Sequence, residues 1–198
     1  MNSYEFDKVF RPKSMIIKMS WFALTLPILF YVFVIYYLSD ILWTSEISKV
    51  DENFKYYFYA AGIGMFFTSL LLKKIFLSNS RLTNQLRKDL KPEEIALNPQ
   101  TKKVNPEQLA KVKSLSVREL KLIGLIDWYL KPFIFQMAVN EAITVLGMVL
   151  AVLTQNKDNI MPFAVVSLLL CLVNFFDLKI IMDRAKHLLE DQSFYQYY

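Results

Sequence analysis

Four stretches of this chain are apolar for long enough to cross a bilayer, and the polar stretches between them are very unequal in length. A spanning helix needs about 20 predominantly apolar residues. Residues 19–39, 57–77, 132–154 and 162–182 each reach that length. The pattern predicts an all-α membrane protein, a four-transmembrane-helix bundle forming one integral membrane domain over residues 1–198. The first run is too long for the core of a cleaved signal, follows a tail holding Glu5 and Asp7, and lacks a small-residue cleavage site, so the N-terminus is expected to stay attached.

The one long polar segment, 78–127, is too short to hold a core of its own. Leu82, Leu86 and Leu90 recur at four-residue spacing, so the second helix is expected to project beyond the membrane until Lys91-Pro92 interrupts it. After Pro99, the run Asn105-Pro106-Glu107 reads as an N-cap, a proline in the first turn and an acidic first turn. That start predicts a helix to about Leu122. It would place Leu109, Val112 and Leu115 on one face, with Lys111, Lys113 and Arg118 elsewhere. Such a helix suits anionic lipid, the projecting helix or a soluble partner.

Charge orients these elements. Lys8, Arg11, Lys13 and Lys18 precede the first run, and twelve basic residues lie between Lys73 and Lys121. Lys179, Arg184 and Lys186 follow the last run. The segment after the first run sets Lys49 and Lys55 against Asp40, Glu46, Asp51 and Glu52, and the turn 155–161 carries only Lys157. By the positive-inside rule both termini and the segment 78–127 are cytoplasmic. Trp21, Trp43, Trp128 and Tyr129 fall at the predicted helix ends, where amphipathic rings settle at headgroup level.

Composition agrees with this class. Of 198 residues, 55% are hydrophobic and 15% aromatic, and only 4 are glycine. The net charge of +5 is already accounted for by topology, so nucleic acid is not an expected partner. The single cysteine, Cys171, excludes an intrachain disulfide and any CxxC site. His187, the only histidine, belongs to the C-terminal tail, where a helix end favours a cation. No Walker loop, dinucleotide-binding glycine pattern, HExxH or GxSxG occurs, so neither a cofactor, a metal nor an enzymatic activity is expected.

Candidate chemistry therefore lies within the membrane. Glu141 interrupts the third run, and a carboxyl there costs roughly 2.5–3.5 kcal/mol on insertion scales, so it should face a partner helix or water. At about 1.5 Å per residue it lies roughly 15 Å in from Lys131, near the midplane. Gln136, Asn140, Thr144, Gly147 and Ala151 follow one another at three or four residues, a stripe of polar and small side chains that should face helices. Asn174 on the fourth helix is at a comparable depth and is the first expected partner of Glu141, with Thr68 and Ser69 also near. Asp177 is expected to be hydrated near the interface, or to meet Gln136. Ala60 and Gly64, with Gly62 between them, suit close approach of the second helix to Gly147 on the third. The first helix, with a kink expected at Pro27 and no charge between Lys18 and Asp40, should face lipid.

The string Asn140-Glu141-Ala142-Ile143-Thr144-Val145-Leu146-Gly147-Met148-Val149-Leu150-Ala151 resembles the carboxylate-bearing helix of rotary ATPase proteolipid subunits. Ala61-Gly62-Ile63-Gly64 resembles part of that family's glycine-rich partner helix. The resemblance implies that Glu141 matches the acid that reversibly binds a proton or sodium ion, on a hairpin packed through glycine. In place of the family's tight polar connection stands the segment 78–127.

Two functions fit these observations best, ahead of a membrane enzyme, which would need an intramembrane chemistry outside the known motifs. One is a non-catalytic subunit or scaffold, in which Glu141 and Asn140 join helices within a homo-oligomer or to a partner membrane subunit, while 78–127 docks a soluble partner. The other is proton or cation handling, with Glu141 as the carboxylate that takes up and releases the ion, supported by Asn140, Thr144, Asn174 and Gln136. Membrane lipid is the common environment. A bacterial inner membrane is the default location, since no organelle or lipidation signal is evident.

Overall fold

The computed structural model describes residues 4–43, 53–96, 104–175 and 177–190, and these form helices with no strand among them. In chain order they are α1 (Tyr4–Leu42), α2 (Phe54–Phe76), α3 (Asn79–Leu86), α4 (Pro92–Ile95), α5 (Pro106–Lys113), α6 (Val117–Thr154), a 3-10 turn (Lys157–Ile160), α7 (Met161–Phe175) and α8 (Asp177–Glu190). Four stretches, Phe6–Ser39, Phe54–Phe76, Val117–Thr154 and Lys157–Glu190, are long and apolar enough to cross a membrane. Phe176, between α7 and α8, lies outside the described residues. So do Pro99 and most of the segment after the first apolar run.

The chain folds as two compact units. One contains Met1–Lys18, Ile75–Pro132 and Asp177–Tyr198, the other Met19–Lys74 and Phe133–Phe176. Two of the boundaries fall at 18/19 and 132/133, where the first and third apolar runs meet charge.

In the first unit, the helix ahead of Met19 holds together through side chains one turn apart. Phe6 and Phe10 stack with centroids 5.2 Å apart, Arg11 approaches Asp7 at 3.8 Å, and the Lys8 ammonium lies 4.1 Å from the Tyr4 ring centre. Lys13 also pairs with Asp127. The projection expected of the second helix is corrected: α2 stops at Phe76, and Ser78, with extended backbone (φ −64°, ψ 140°), starts a separate helix, α3. Ser78 Oγ donates to the Ile75 carbonyl at 3.0 Å, a local bond that competes with helix continuation. The leucine spacing keeps its meaning, since Leu82 and Leu86 are fully buried and α3 packs on α8.

The helix expected to run to Lys91-Pro92 ends earlier, α3 stopping at Leu86, and Pro92 instead opens α4 after an extended Lys91. Asn105 caps α5, accepting from the Glu107 and Gln108 amides at 3.0 and 3.4 Å. The helix expected to reach Leu122 ends at Lys113 instead. Ser116 and Glu119 then cap α6 reciprocally: the Ser116 amide donates to Glu119 Oε2 at 3.0 Å and the Glu119 amide to Ser116 Oγ at 3.3 Å. From there α6 runs 38 residues through Pro132 without a break, so the third apolar run is the C-terminal part of a longer helix.

The second unit is built around residues 133–154 of α6. One apolar cluster joins it to α2 and α7 through Ile143, Leu150, Phe163 and Leu170, with Tyr59 and Phe66 against them. The other joins it to α1 and the 3-10 turn through Ile35, Ala151 and Ile160. Gln155, with positive φ of 50°, reverses the chain after α6, and Asn156 caps the turn by accepting from the Asp158 amide at 3.0 Å. Tyr36 donates to Asp158 at 3.0 Å, which ties this turn to α1.

Candidate functional site

Six buried polar side chains of α2, α6 and α7 in the second unit lie close together. Ser69 of α2, Gln136, Asn140 and Thr144 of α6, and Ser167 and Asn174 of α7 are all buried, none more than 3% exposed. Their spacing on α6 puts 136, 140 and 144 on a single face, as the sequence predicts. That face turns to α2 and α7. Ser69 Oγ donates to Asn140 Oδ1 at 2.6 Å, and Ser167 Oγ donates to the Asn140 main-chain carbonyl. Gln136 Nε2 donates to Asn174 Oδ1 at 3.2 Å and lies 3.5 Å from the Ser69 carbonyl. Weak bonds to sulfur complete the cluster, from Asn140 Nδ2 to Cys171 Sγ at 4.0 Å and from Asn174 Nδ2 to Met137 Sδ at 3.9 Å.

Such bonds between helices in lipid each contribute about 0.6 kcal/mol, and their absence would leave a buried amide without a partner. Thr144 is fully buried, and its hydroxyl has no hydrogen-bond partner among the described residues.

Glu141 stands apart from this cluster. One residue on from Asn140, it points about 100° round the helix, and its carboxylate is bonded by α1: Tyr31 Oη donates to Glu141 Oε1 at 2.9 Å. That is its only hydrogen bond among the described residues, and the side chain remains partly exposed. Three expectations change as a result. Asn174, expected beside Glu141, bonds Gln136. Ser69 bonds Asn140, while Thr68 turns back to the Gly64 carbonyl of its own helix at 2.8 Å. The first helix, expected to face lipid, also buries Ile28 and Ile35 and donates from Trp21 Nε1 to the Cys171 carbonyl at 2.7 Å. Asp177, expected to be hydrated, is fully buried and belongs to the other compact unit.

The glycines pack against a side chain that the sequence did not single out. A Cβ on Gly62 would lie 2.7 Å from Phe163 Cε1, and one on Gly147 would lie 2.6 Å from Phe163 Cβ. Both glycines make room for the same phenylalanine of α7, whose ring stacks on Tyr59 with centroids 5.3 Å apart. Gly64 would meet nothing within 4 Å, and Ala60 is exposed. A cavity of about 220 Å³ opens beside this contact, lined by Tyr59, Gly62, Ile63, Phe66, Ile143 and Phe163 among others. No side chain of the polar cluster lines it.

Tyr31, Ser167 and Phe163 are the residues missed from sequence. Tyr31 and Ser167 carry a usable signal, a hydroxyl inside an apolar run at helical depth, whereas Phe163 looks like any apolar residue. Among the described residues no three histidine, cysteine or acidic side chains converge on a metal-sized site. No known protein family matches the chain, and neither does any curated protein or solved structure. The resemblance of 140–151 and 61–64 to proteolipid subunits therefore gains no support beyond those two short motifs.

Proposed function

We propose that this protein is a non-catalytic subunit or scaffold of a membrane complex, with Glu141 as its intramembrane polar contact. Both termini and the segment 78–127 would face the cytoplasm, and that segment would dock a soluble partner. The membrane would be a bacterial inner membrane. One observation carries the reading: Ser69, Gln136, Asn140, Ser167 and Asn174 of α2, α6 and α7 bond one another without Glu141, while the carboxylate keeps a single bond among the described residues, from Tyr31, and stays partly uncovered. An acid held at the midplane is costly, and among the described residues only the Tyr31 hydroxyl bonds it. A second molecule would supply what the chain does not.

The test is extraction of the tagged protein into nanodiscs followed by native mass spectrometry. The expected result is a complex of fixed stoichiometry. A monomer that conducts protons in vesicles and loses that flux in Glu141→Gln would refute the scaffold reading in favour of cation handling.

A further inference from the structure

Resting on that reading, we infer that the occupant of the Glu141 face is a transmembrane helix of a different protein that carries a lysine or arginine at midplane depth. Along α6, Ile134, Ala138, Glu141 and Val145 succeed one another at three or four residues and so line one side of the helix. Ile134 is 41% exposed, Ala138 is exposed, and Glu141 and Val145 are partly so. The strip is open at Ile134 and Ala138 and partly covered at Glu141 and Val145, and small Ala138 one turn from the acid leaves space for a neighbouring backbone to come close.

The charge on the strip selects the occupant. Between Lys18 and Lys55 the only basic residue is Lys49, which lies beyond the first apolar run. No basic residue lies between Lys55 and Lys73, between Lys131 and Lys157, or between Lys157 and Lys179. No apolar run therefore holds a cation at the depth of Glu141. A second copy of this chain would bring another acid and no base, so a homo-oligomer cannot complete the pair. Tyr31 occupies one carboxylate oxygen. The other has no hydrogen-bond partner among the described residues and can accept from a cationic donor, a charge-assisted bond stronger than a neutral one.

The experiment uses two leucine-rich transmembrane peptides of about 20 residues, alike except for lysine or leucine at the centre. Each is reconstituted with the full-length protein in phosphatidylcholine vesicles and followed by energy transfer. The neutral lipid removes headgroup attraction as a source of preference. Wild-type protein should favour the lysine peptide by about three- to thirtyfold, the range of interhelical polar contacts in membranes. Glu141→Gln, which keeps size and the bond from Tyr31, should abolish the preference, and Tyr31→Phe should retain it. Equal binding of the two peptides by wild type overturns the inference, as does a preference that survives Glu141→Gln or is lost in Tyr31→Phe. Native mass spectrometry separates this failure from failure of the scaffold reading. A hetero-complex that survives Glu141→Gln, or a homo-oligomer that Glu141→Gln dissolves, overturns only the inference. A monomer overturns both.

Discussion

Alanine should be tolerated least at Gly147, better at Gly62 and best at Gly64, because the surroundings of the three glycines differ. At Gly147 a Cβ would lie 2.6, 2.8 and 2.9 Å from Phe163 Cβ, Cγ and Cδ2. The nearest of these atoms is attached to the α7 backbone and cannot swing aside without moving the helix. Overpacking of this kind costs about 1–3 kcal/mol, and alanine recovers about 1 kcal/mol of helix propensity over glycine. Taking the upper end of the first range gives a net loss of about 2 kcal/mol. At Gly62 the obstacle is Phe163 Cε1 at 2.7 Å, the far edge of a ring that can tilt, so cost and gain nearly cancel and the loss stays below about 1 kcal/mol. Gly64 meets nothing within 4 Å, and alanine there should be neutral or stabilise by up to about 1 kcal/mol. Reversible unfolding in mixed micelles, followed by far-ultraviolet circular dichroism, reads the three differences. The background Phe163→Ala sharpens the test: it removes Cε1 and should erase the penalty at Gly62, but it keeps Cβ and should leave most of the penalty at Gly147. Equal stability of Gly147→Ala and Gly64→Ala would refute the packing described here.

Three further outcomes are expected. Ser69→Ala withdraws the donor from the buried Asn140 Oδ1 and should cost about 1–3 kcal/mol in the same unfolding measurement, whereas Thr68→Ala, which loses only a bond to its own helix on an exposed face, should stay within about 0.5 kcal/mol. Asn105→Ala should weaken α5 by about 1 kcal/mol, read as faster hydrogen exchange at the Glu107 and Gln108 amides. Unchanged exchange there would remove the cap from the account. With Cys171 replaced by serine, cysteines at positions 111 and 157 should differ towards a charged maleimide added outside intact cells. Position 157 should label at once and position 111 only after the membrane is opened, and the reverse order would invert the topology argued from loop charge.

The helices were legible in the sequence to different degrees, for physical reasons. Run length revealed the four spanning stretches because apolar length is what a bilayer demands, and Asn105-Pro106-Glu107 revealed a helix start because each residue there satisfies or avoids an orphan amide. Hydropathy could not show where α1 begins. Residues 4–18 carry charges, yet their backbone is held by pairs one turn apart, and a helix ends where its hydrogen bonds end rather than where it becomes polar. The stop at Phe76 was hidden by the helical spacing of Leu82, Leu86 and Leu90, which holds equally for a separate helix that starts after Ser78. The start of α6 did have a signal, the Ser116-Val117-Arg118-Glu119 capping box, obscured by the apolar residues that run on from α5.

The polar stripe on α6 illustrates a different limit. Periodicity placed Gln136, Asn140 and Thr144 on a common face correctly, because angle around one helix follows from spacing alone. Which residues meet them depends on the depth and rotation of other helices, and spacing within one helix carries no such information. Glu141 was expected to share a pocket with Asn140 although it stands one position round from the stripe, a turn of about 100°. That rotation sends the amides to α2 and α7 and the acid to α1. Helices α2, α6 and α7 are therefore joined by neutral groups that need no charge, so the cost of placing a carboxylate at this depth must be set against Tyr31 and whatever lies beyond the open strip of α6.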